Sequence, residues 1–252
     1  MSELKSYITT YDIEYNVQLN DFTEVVIKTK YTNPSMIARP EDKDEVARVD
    51  YDNTKCTNLK TLYNKISNEM HLYKDDFIEK VKSEISEVKG IAYCVGSIDL
   101  KPLKIVKEDD FQKCMKLNLY SAVKIIKEYQ DSLKKNKGSI VLFSSVAAQR
   151  GFPNHSIIAS AKAAVRGLTI SLAAEFAPNI RVNCIAPSLT NSKISQPILK
   201  NNMMAEGIKK AHPMKRIGEG KDIAAMAKFL LTEESSWITG QIIGVDGGRS
   251  SL

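Results

Sequence analysis

From residue 90 to residue 246, short apolar runs alternate with longer segments of helical periodicity. The apolar runs cover residues 90–95, 139–144, 180–186 and 241–246, and the helical segments lie at about 108–133, 155–177 and 221–231. Such alternation is typical of βαβ units with parallel strands. The runs are apolar on both alternating faces, as in sheets that helices cover on both sides. The sequence therefore predicts an α/β fold, a doubly wound parallel sheet flanked by helices.

The first 89 residues differ, because all twelve glycines lie from Gly90 onward. This part predicts strands at 23–31 and 69–74 and helices at 53–67 and 76–88. We find no internal repeat and no low-complexity linker between the two parts. We therefore expect one domain over residues 1–252, with a divergent segment at 1–68.

Charge and composition exclude several classes of function. The chain of 252 residues has 36 Lys and Arg against 30 Asp and Glu, but the basic residues are dispersed, so no nucleic-acid surface is indicated. No signal peptide and no apolar stretch of about 18 residues is evident, so we expect a cytoplasmic protein without membrane contact. The cysteines show no metal-binding spacing and predict reduced thiols and no metal site; they are Cys56, Cys94, Cys114 and Cys184.

One predicted strand is followed by polar residues whose position at its carboxyl end favours a role in ligand binding. The run 139–144 ends in Ser144 and Ser145, and a loop then leads to the Ala-rich helix at 155–177. Ligands of open α/β sheets bind at the carboxyl ends of the strands. These two serines are therefore candidates for a ligand-binding site.

Several further segments match one known family in chain order. They are CVGS at 94–97, Asn118, Ser145, Lys162, the segment 180–188 and the segment 238–248. Over about residues 69–252 the chain thereby resembles the short-chain dehydrogenase/reductase family. The resemblance implies a Rossmann-like fold and an oxidoreductase that acts with NAD or NADP on a small alcohol or carbonyl compound.

The same resemblance assigns roles to residues of this chain. It implies that Asn118 and Ser145 hold the substrate oxygen and that Lys162 holds the ribose of the cofactor. The implied cofactor-binding residues are Cys94, Val95, Gly96, Lys162, Pro187, Ser188 and Thr190. In the family the helix that corresponds to 155–177 takes part in a dimer contact, and its small-residue face permits close approach here, so the resemblance implies a homodimer or homotetramer.

Two departures from the family pattern weaken the expected activity. Ile158 stands four residues before Lys162, where the family has its catalytic tyrosine. Losing a general acid lowers a rate by about 10²–10⁴. The glycine-rich turn that lets a backbone approach a pyrophosphate is also absent from residues 1–89.

Alternatives therefore stay open at this stage. Candidates to replace the phenol are His155, Ser156, Tyr93 and Tyr120, while Asp75 and Asp76 either bind adenine or cap a helix. Ser145 and Asn118 could instead satisfy local backbone groups, and without a cofactor Lys162 would be a helix lysine reaching water. The rival function is a non-redox protein on the same scaffold, either a small-molecule binder or an oligomer partner.

Overall fold

The protein is described by a computed structural model that covers residues 24–26, 81 and 85–252. Its five strands are β1 (Glu24–Val26), β2 (Gly90–Tyr93), β3 (Ser139–Phe143), β4 (Arg181–Pro187) and β5 (Ile242–Val245). They form one sheet in chain order, and every neighbouring pair is parallel. Parallel pairing places the carboxyl ends of all five strands along one edge of the sheet.

The helices connect these strands. They are α1 (Glu108–Met115), a π-helical turn (Lys116–Tyr120), α2 (Ser121–Lys135), α3 (Ser156–Phe176), α4 (Gln196–Leu199), α5 (Asn202–Ala211) and α6 (Gly220–Leu231). Short 3₁₀ turns lie at Leu103–Ile105, Val146–Ala148, Lys193–Ser195 and Glu233–Ser235. Helix α3 runs from β3 towards β4, and α6 comes shortly before β5.

Two serines, one in β3 and one directly after it, show that helices cover both faces of the sheet. The hydroxyl of Ser139 donates to the carbonyl of Leu230 in α6 at 2.7 Å. The hydroxyl of Ser144, just after the same strand, donates to the carbonyl of Lys162 in α3 at 2.8 Å. Positions of opposite parity in a strand point to opposite faces, so α3 and α6 lie on opposite sides. The predicted doubly wound sheet is confirmed.

The helix predicted at 108–133 is confirmed, with an interruption that the periodicity does not show. At the π-helical turn, the Asn118 amide donates to the Cys114 carbonyl at 2.9 Å and the Ser121 hydroxyl donates to the Lys116 carbonyl at 2.8 Å. The backbone N–H of Ser121 donates to the same Lys116 carbonyl, as the wider π-helical turn requires. Single π-helical turns of this kind often occur at functional sites.

Other boundaries differ from the sequence predictions. Val81 is helical and buried, but residues 85–88 are irregular, so the helix predicted to reach residue 88 ends earlier. The prediction missed α4 and α5, neither of which buries a residue, and Met203 and Met204 of α5 are exposed. The segments 53–67 and 69–74, together with Asp75 and Asp76, lie outside the described residues.

Among the described helices, α3 is long and apolar enough by length and composition to cross a membrane, which the sequence analysis did not anticipate. Core helices of soluble proteins pass the same test. Here α3 buries Ile157, Ala161 and Val165 completely or nearly so and covers one face of the sheet. Packing against the sheet thus accounts for the buried part of its apolar surface, while 39% of its apolar 18-residue stretch is buried and the remainder is not.

Gly138 allows the chain to enter β3 close to the start of β2. A Cβ atom at this position would lie 2.5 Å from the Lys89 carbonyl oxygen and 2.8 Å from Leu133 Cδ2. We expect Gly138→Ala to lower the free energy of unfolding by about 1–3 kcal/mol, because the backbone must shift. Gly207→Ala is the control, since no heavy atom lies within 4 Å and alanine favours its helix by about 0.5–1 kcal/mol. Urea unfolding of both variants checks this, and equal stability of the two would contradict it.

Candidate functional site

The carboxyl ends of β2, β3 and β4 bring together the residues that the sequence singled out. Residues 94–97 follow β2, Ser144 and Ser145 follow β3, and residues 188–190 follow β4. Helix α3 contributes Lys162, and the π-helical turn contributes Asn118. The catalytic candidates therefore lie along one edge of the sheet, as predicted from parallel pairing.

Lys162 is the buried cation of this site. Its side chain is 6% exposed, and its ammonium group donates to the Phe143 carbonyl at the end of β3 at 2.9 Å. The expectation that this lysine would reach water in the absence of a cofactor is therefore wrong. Burial lowers the pKa of Lys162 to about 8, because desolvation disfavours the charged form, and nearby Cys184, Cys114 and Cys94 oppose that shift.

Asn118 is buried beside the lysine and has one free polar atom. Its Nδ2 donates to the Cys114 carbonyl at 2.9 Å and to Ser97 Oγ at 3.3 Å. Its Oδ1 is fully buried and has no hydrogen-bond partner. The amide thus satisfies a backbone carbonyl, which was one open interpretation, and also leaves an acceptor that a ligand or a water molecule can use.

Gly96 permits the close approach of these two side chains. A Cβ atom at Gly96 would lie 2.8 Å from Asn118 Oδ1 and 3.1 Å from Lys162 Nζ. The loop after β2 therefore packs its backbone directly against the polar ends of the asparagine and the lysine. Cys94 and Val95, which precede it, are buried.

The two serines after β3 have different roles. Ser144 is buried, and its hydroxyl bonds to the Lys162 carbonyl, which joins the strand end to α3. Ser145 is partly exposed, and its Oγ accepts a hydrogen bond from the Ala147 backbone N–H at 3.1 Å. Ser145 thus caps a local turn, as one interpretation held, yet its own O–H remains a donor.

The position of the missing phenol is filled by packing. Ile158 is 5% exposed and belongs to a small apolar cluster with Cys114, Ile157 and Ala161. Val106, Phe111 and Met115 pack against this cluster. An apolar wall therefore stands beside Lys162, one helical turn away, where the family places its acid.

The candidates to replace the phenol differ in their suitability. Tyr93 is buried and donates to the Leu117 carbonyl at 3.1 Å, and burial raises its pKa far above the usual value, so its proton is held. Tyr120 is 54% exposed. His155 Nδ1 lies 2.7 Å from the Pro153 carbonyl oxygen, next to α3. Ser156 Oγ is buried without a hydrogen-bond partner.

Sequence reasoning missed two polar pairs at this edge. The Ser97 hydroxyl donates to the Asp99 carboxylate, and it lies 4.0 Å from Cys114 Sγ. After β4, the buried His212 contacts Ser188 with Nε2 to Oγ at 2.7 Å. Only the serine of each pair lies in a segment that the family resemblance marked, and no spacing rule connects residues 188 and 212.

The loop after β4 contains the remaining predicted cofactor residues. Pro187 ends β4, and the Thr190 hydroxyl donates to the Ser188 carbonyl at 3.0 Å. Backbone bonds tie this loop to Gly218, whose N–H donates to Leu189 O at 3.1 Å. Ser188 and Thr190 are partly exposed, so they are accessible at this edge.

The cysteines agree with the expectation of reduced thiols where they are described. Cys94, Cys114 and Cys184 are buried and form no disulfide bond, while Cys56 lies outside the described residues. Burial raises the pKa of Cys114 and of Cys184 to about 11. Within residues 85–252, we find no group of three or more His, Cys, Asp or Glu residues that could hold a metal ion.

The described residues fit the nicotinamide half of a dinucleotide. Lys162 has N–H donors beyond the one that binds Phe143 O, and Asn118 Oδ1 is an unsatisfied acceptor next to it. The backbone of Gly96 leaves this corner without a side chain. Residues 27–80, where the family turn for the pyrophosphate would lie, are outside the described part and contain no glycine.

This edge of a parallel α/β sheet, with a serine and a lysine from β3 and α3, defines a class of dinucleotide-dependent oxidoreductases. A family model described as Enoyl-(Acyl carrier protein) reductase matches residues 57–250. The chain is 32% identical over 188 residues to Dehydrogenase/reductase SDR family member 4 of Mus musculus, which covers 72% of this chain and 67% of that protein. It is 36% identical over 156 residues to a tropinone reductase homolog of Arabidopsis thaliana, covering 61% and 59%.

Solved structures agree with this match. A putative gluconate dehydrogenase from Agrobacterium tumefaciens shares the fold with a TM-score of 0.69 and 24% identity, over 77% of this chain and 82% of that one. The structure of ElxO with NADP bound has a TM-score of 0.64 and 29% identity, over 70% and 73%. The chain belongs to the short-chain dehydrogenase/reductase family.

The burial of Lys162 predicts a pH-dependent contribution to stability. Its pKa is about 8 in the folded protein against an ordinary 10.5, so between these values the unfolded chain binds more protons. Stability due to this group therefore rises with pH across that window, by up to about 3 kcal/mol. Lys162→Met removes the titration. We expect the difference in unfolding free energy, wild type minus variant, to increase from pH 8 to pH 10.5 in denaturant titrations, and a constant difference would contradict the burial of a charged amine.

Proposed function

We propose that the protein is an NAD(P)-dependent oxidoreductase of a small alcohol or carbonyl compound, with reduced activity. The observation that supports this most directly is the buried Lys162, with its ammonium group beside the unsatisfied Asn118 Oδ1. A buried cation and an unpaired acceptor are costly unless a ligand uses them. Perturbed groups of this kind are concentrated at functional sites.

In this proposal the residues at the sheet edge contact different parts of the cofactor and the substrate. Lys162 donates to the ribose, and the segment of Pro187, Ser188 and Thr190 contacts the nicotinamide. The Ser145 hydroxyl donates to the substrate oxygen, and Asn118 accepts from a hydroxyl or a water molecule at Oδ1. When bound, the dinucleotide gives or takes a hydride.

The reduced activity follows from two separate features. Ile158 brings no acid to the substrate oxygen, which lowers the rate of the chemical step by about 10²–10⁴. Residues 1–89 contain no glycine, and side chains block the close approach of a backbone to a pyrophosphate, so nucleotide affinity is lowered. The first feature acts on turnover and the second acts on binding.

A second candidate function is a non-redox binder of small molecules. The observation that favours it is the packing of Ile158 into an apolar cluster, which leaves the position of the acid without a polar group. A protein of this kind would bind a ligand at the same edge of the sheet and catalyse no reaction. Nucleotide binding and turnover separate the two functions.

The first experiment titrates the purified protein with NADH and NADPH. We expect binding that is detectable by calorimetry but much weaker than the low-micromolar range, with Lys162→Met weaker again because the ribose loses its donor. Low-micromolar binding would contradict the proposed effect of the missing glycine turn. No binding at millimolar nucleotide would favour the non-redox function.

The second experiment restores the phenol with Ile158→Tyr. The new hydroxyl lies one helical turn before Lys162, so we expect faster reduction of activated ketones and diketones with NADPH, by up to about 10²–10⁴. Ile158→Phe is the matched control, because it adds the ring without the hydroxyl. Both rings overfill the cluster and cost about 1–3 kcal/mol in stability. Equal rates for the folded Tyr and Phe variants would show that position 158 does not face the substrate oxygen.

We further propose that the protein forms a homodimer through the exposed face of α3. Ile170 is 56% exposed, and Ala163, Gly167 and Ala174 around it are exposed small residues that allow close approach of a second helix. No heavy atom lies within 4 Å of a Cβ built at Gly167 or at Gly207. We expect Gly167→Glu to lower the mass measured by sedimentation and Gly207→Glu to leave it unchanged, whereas an unchanged mass in both would contradict this interface.

A further inference from the structure

We propose that His212 is a positioning residue that couples helix α5 to the loop after β4 through the hydroxyl of Ser188. The proposal rests on the proposed function only in assigning that loop to the nicotinamide. The coupling itself is a property of the ligand-free protein. It can therefore be tested separately from nucleotide binding.

The chemistry of the two imidazole nitrogens sets the direction of the bond. His212 is 2% exposed, its Nδ1 lies 2.7 Å from the Ile208 carbonyl oxygen, and its Nε2 lies 2.7 Å from Ser188 Oγ. A carbonyl oxygen can only accept, so Nδ1 carries the hydrogen. In the neutral ring Nε2 is then an acceptor, and the Ser188 hydroxyl donates to it.

The residue at position 188 makes this bond possible. Position 188 carries a serine directly after Pro187, the last residue of β4. A glycine at this position would offer no hydroxyl to His212 and would leave a buried imidazole nitrogen without this partner. The serine and the histidine therefore function as a pair, although 24 residues separate them in the chain.

The histidine is the fixed member of the pair. The Arg249 guanidinium donates to the Ala211 carbonyl at 2.8 Å, and the Met214 N–H donates to the Gly247 carbonyl at 3.2 Å. Gly248 has a φ of +82°, and a Cβ there would lie 3.0 Å from Pro213 Cγ. The carboxyl-terminal turn thus holds the segment around His212 from both sides.

The loop after β4 has hydrogen bonds of its own: the Thr190 hydroxyl donates to the Ser188 carbonyl at 3.0 Å, and the Ser195 hydroxyl donates to the Thr190 carbonyl at 2.7 Å. Two backbone bonds tie it to Gly218, from Gly218 N to Leu189 O at 3.1 Å and from Asn191 N to Gly218 O at 2.8 Å. The Ser188 hydroxyl adds the connection to α5. The Ser188 side chain therefore links this loop to α5, and we expect loss of its bond to His212 to loosen the loop at residue 188.

Three variants separate the coupling from general packing. Ser188→Ala removes only the donor oxygen. His212→Gln can place Oε1 near the position of Nε2 and still accept from Ser188, whereas His212→Asn can place its amide near Nδ1 and donate to Ile208 O without reaching Ser188. The double variant Ser188→Ala with His212→Asn tests whether both single changes remove the same bond.

The first measurement is amide hydrogen exchange of the ligand-free protein. We expect Ser188→Ala and His212→Asn to speed exchange in residues 188–192 by roughly fivefold, the effect of one lost hydrogen bond. His212→Gln should stay near the parent rate, and the double variant should not exceed the larger single effect. Equal acceleration by Gln and Asn, or parent-like exchange in Ser188→Ala, would overturn the coupling. Ser188→Ala keeps the test valid if a His212 variant does not fold.

The second measurement is NADPH affinity of the same variants. We expect Ser188→Ala and His212→Asn to raise the dissociation constant by roughly fivefold over the parent and His212→Gln to restore it. Unchanged NADPH affinity in all three single variants would overturn the positioning role, even if amide hydrogen exchange changes as expected. If no variant and no parent binds NADPH but exchange follows the expected order, the coupling stands and the proposed function fails.

Discussion

The burial of one ammonium group governs the arrangement of this site. Lys162 belongs to a helix that covers the sheet, so its charged end lies in an environment that disfavours charge. The structure partly compensates through the Phe143 carbonyl at the end of β3 and through close packing against Gly96 and Asn118. Each of these neighbours must keep its place for the lysine to remain buried, which links β2, β3 and α3 at one point.

The site has two sides of opposite character around that lysine. On one side an apolar wall is formed by Ile157, Ile158 and Ala161. On the other side the Asn118 amide contacts Ser97, whose hydroxyl continues to the Asp99 carboxylate. The asparagine side therefore carries a chain of hydrogen-bonding groups that runs from Asn118 through Ser97 to Asp99. The structure keeps a polar path although the residue at the place of the phenol is apolar.

The sequence predicted the sheet well because buried parallel strands have continuous apolar sequences. β2, β3 and β4 lie within the predicted runs or extend one residue beyond them, and Ser145 and Lys162 were assigned to the correct edge. It predicted less where structure depends on contacts between distant segments. The π-helical turn interrupts an otherwise continuous helical pattern, and the bond between Ser188 and His212 spans 24 residues, so neither follows from periodicity. Helices α4 and α5 were missed as well, and neither of them buries a residue in the core.

The two departures from the family pattern concern different halves of a dinucleotide site, and this separates their consequences. A phenol beside Lys162 would give the ammonium a polar partner and favour its charged form. With Ile158 in that place, the amine remains buried with a carbonyl as its main partner, and its pKa falls to about 8. Under the proposed function, Ile158 weakens the chemical step because it brings no acid to the substrate oxygen. The glycine-free segment acts separately, on the binding of the pyrophosphate, so the proposed function keeps the residues of the nicotinamide corner while turnover falls.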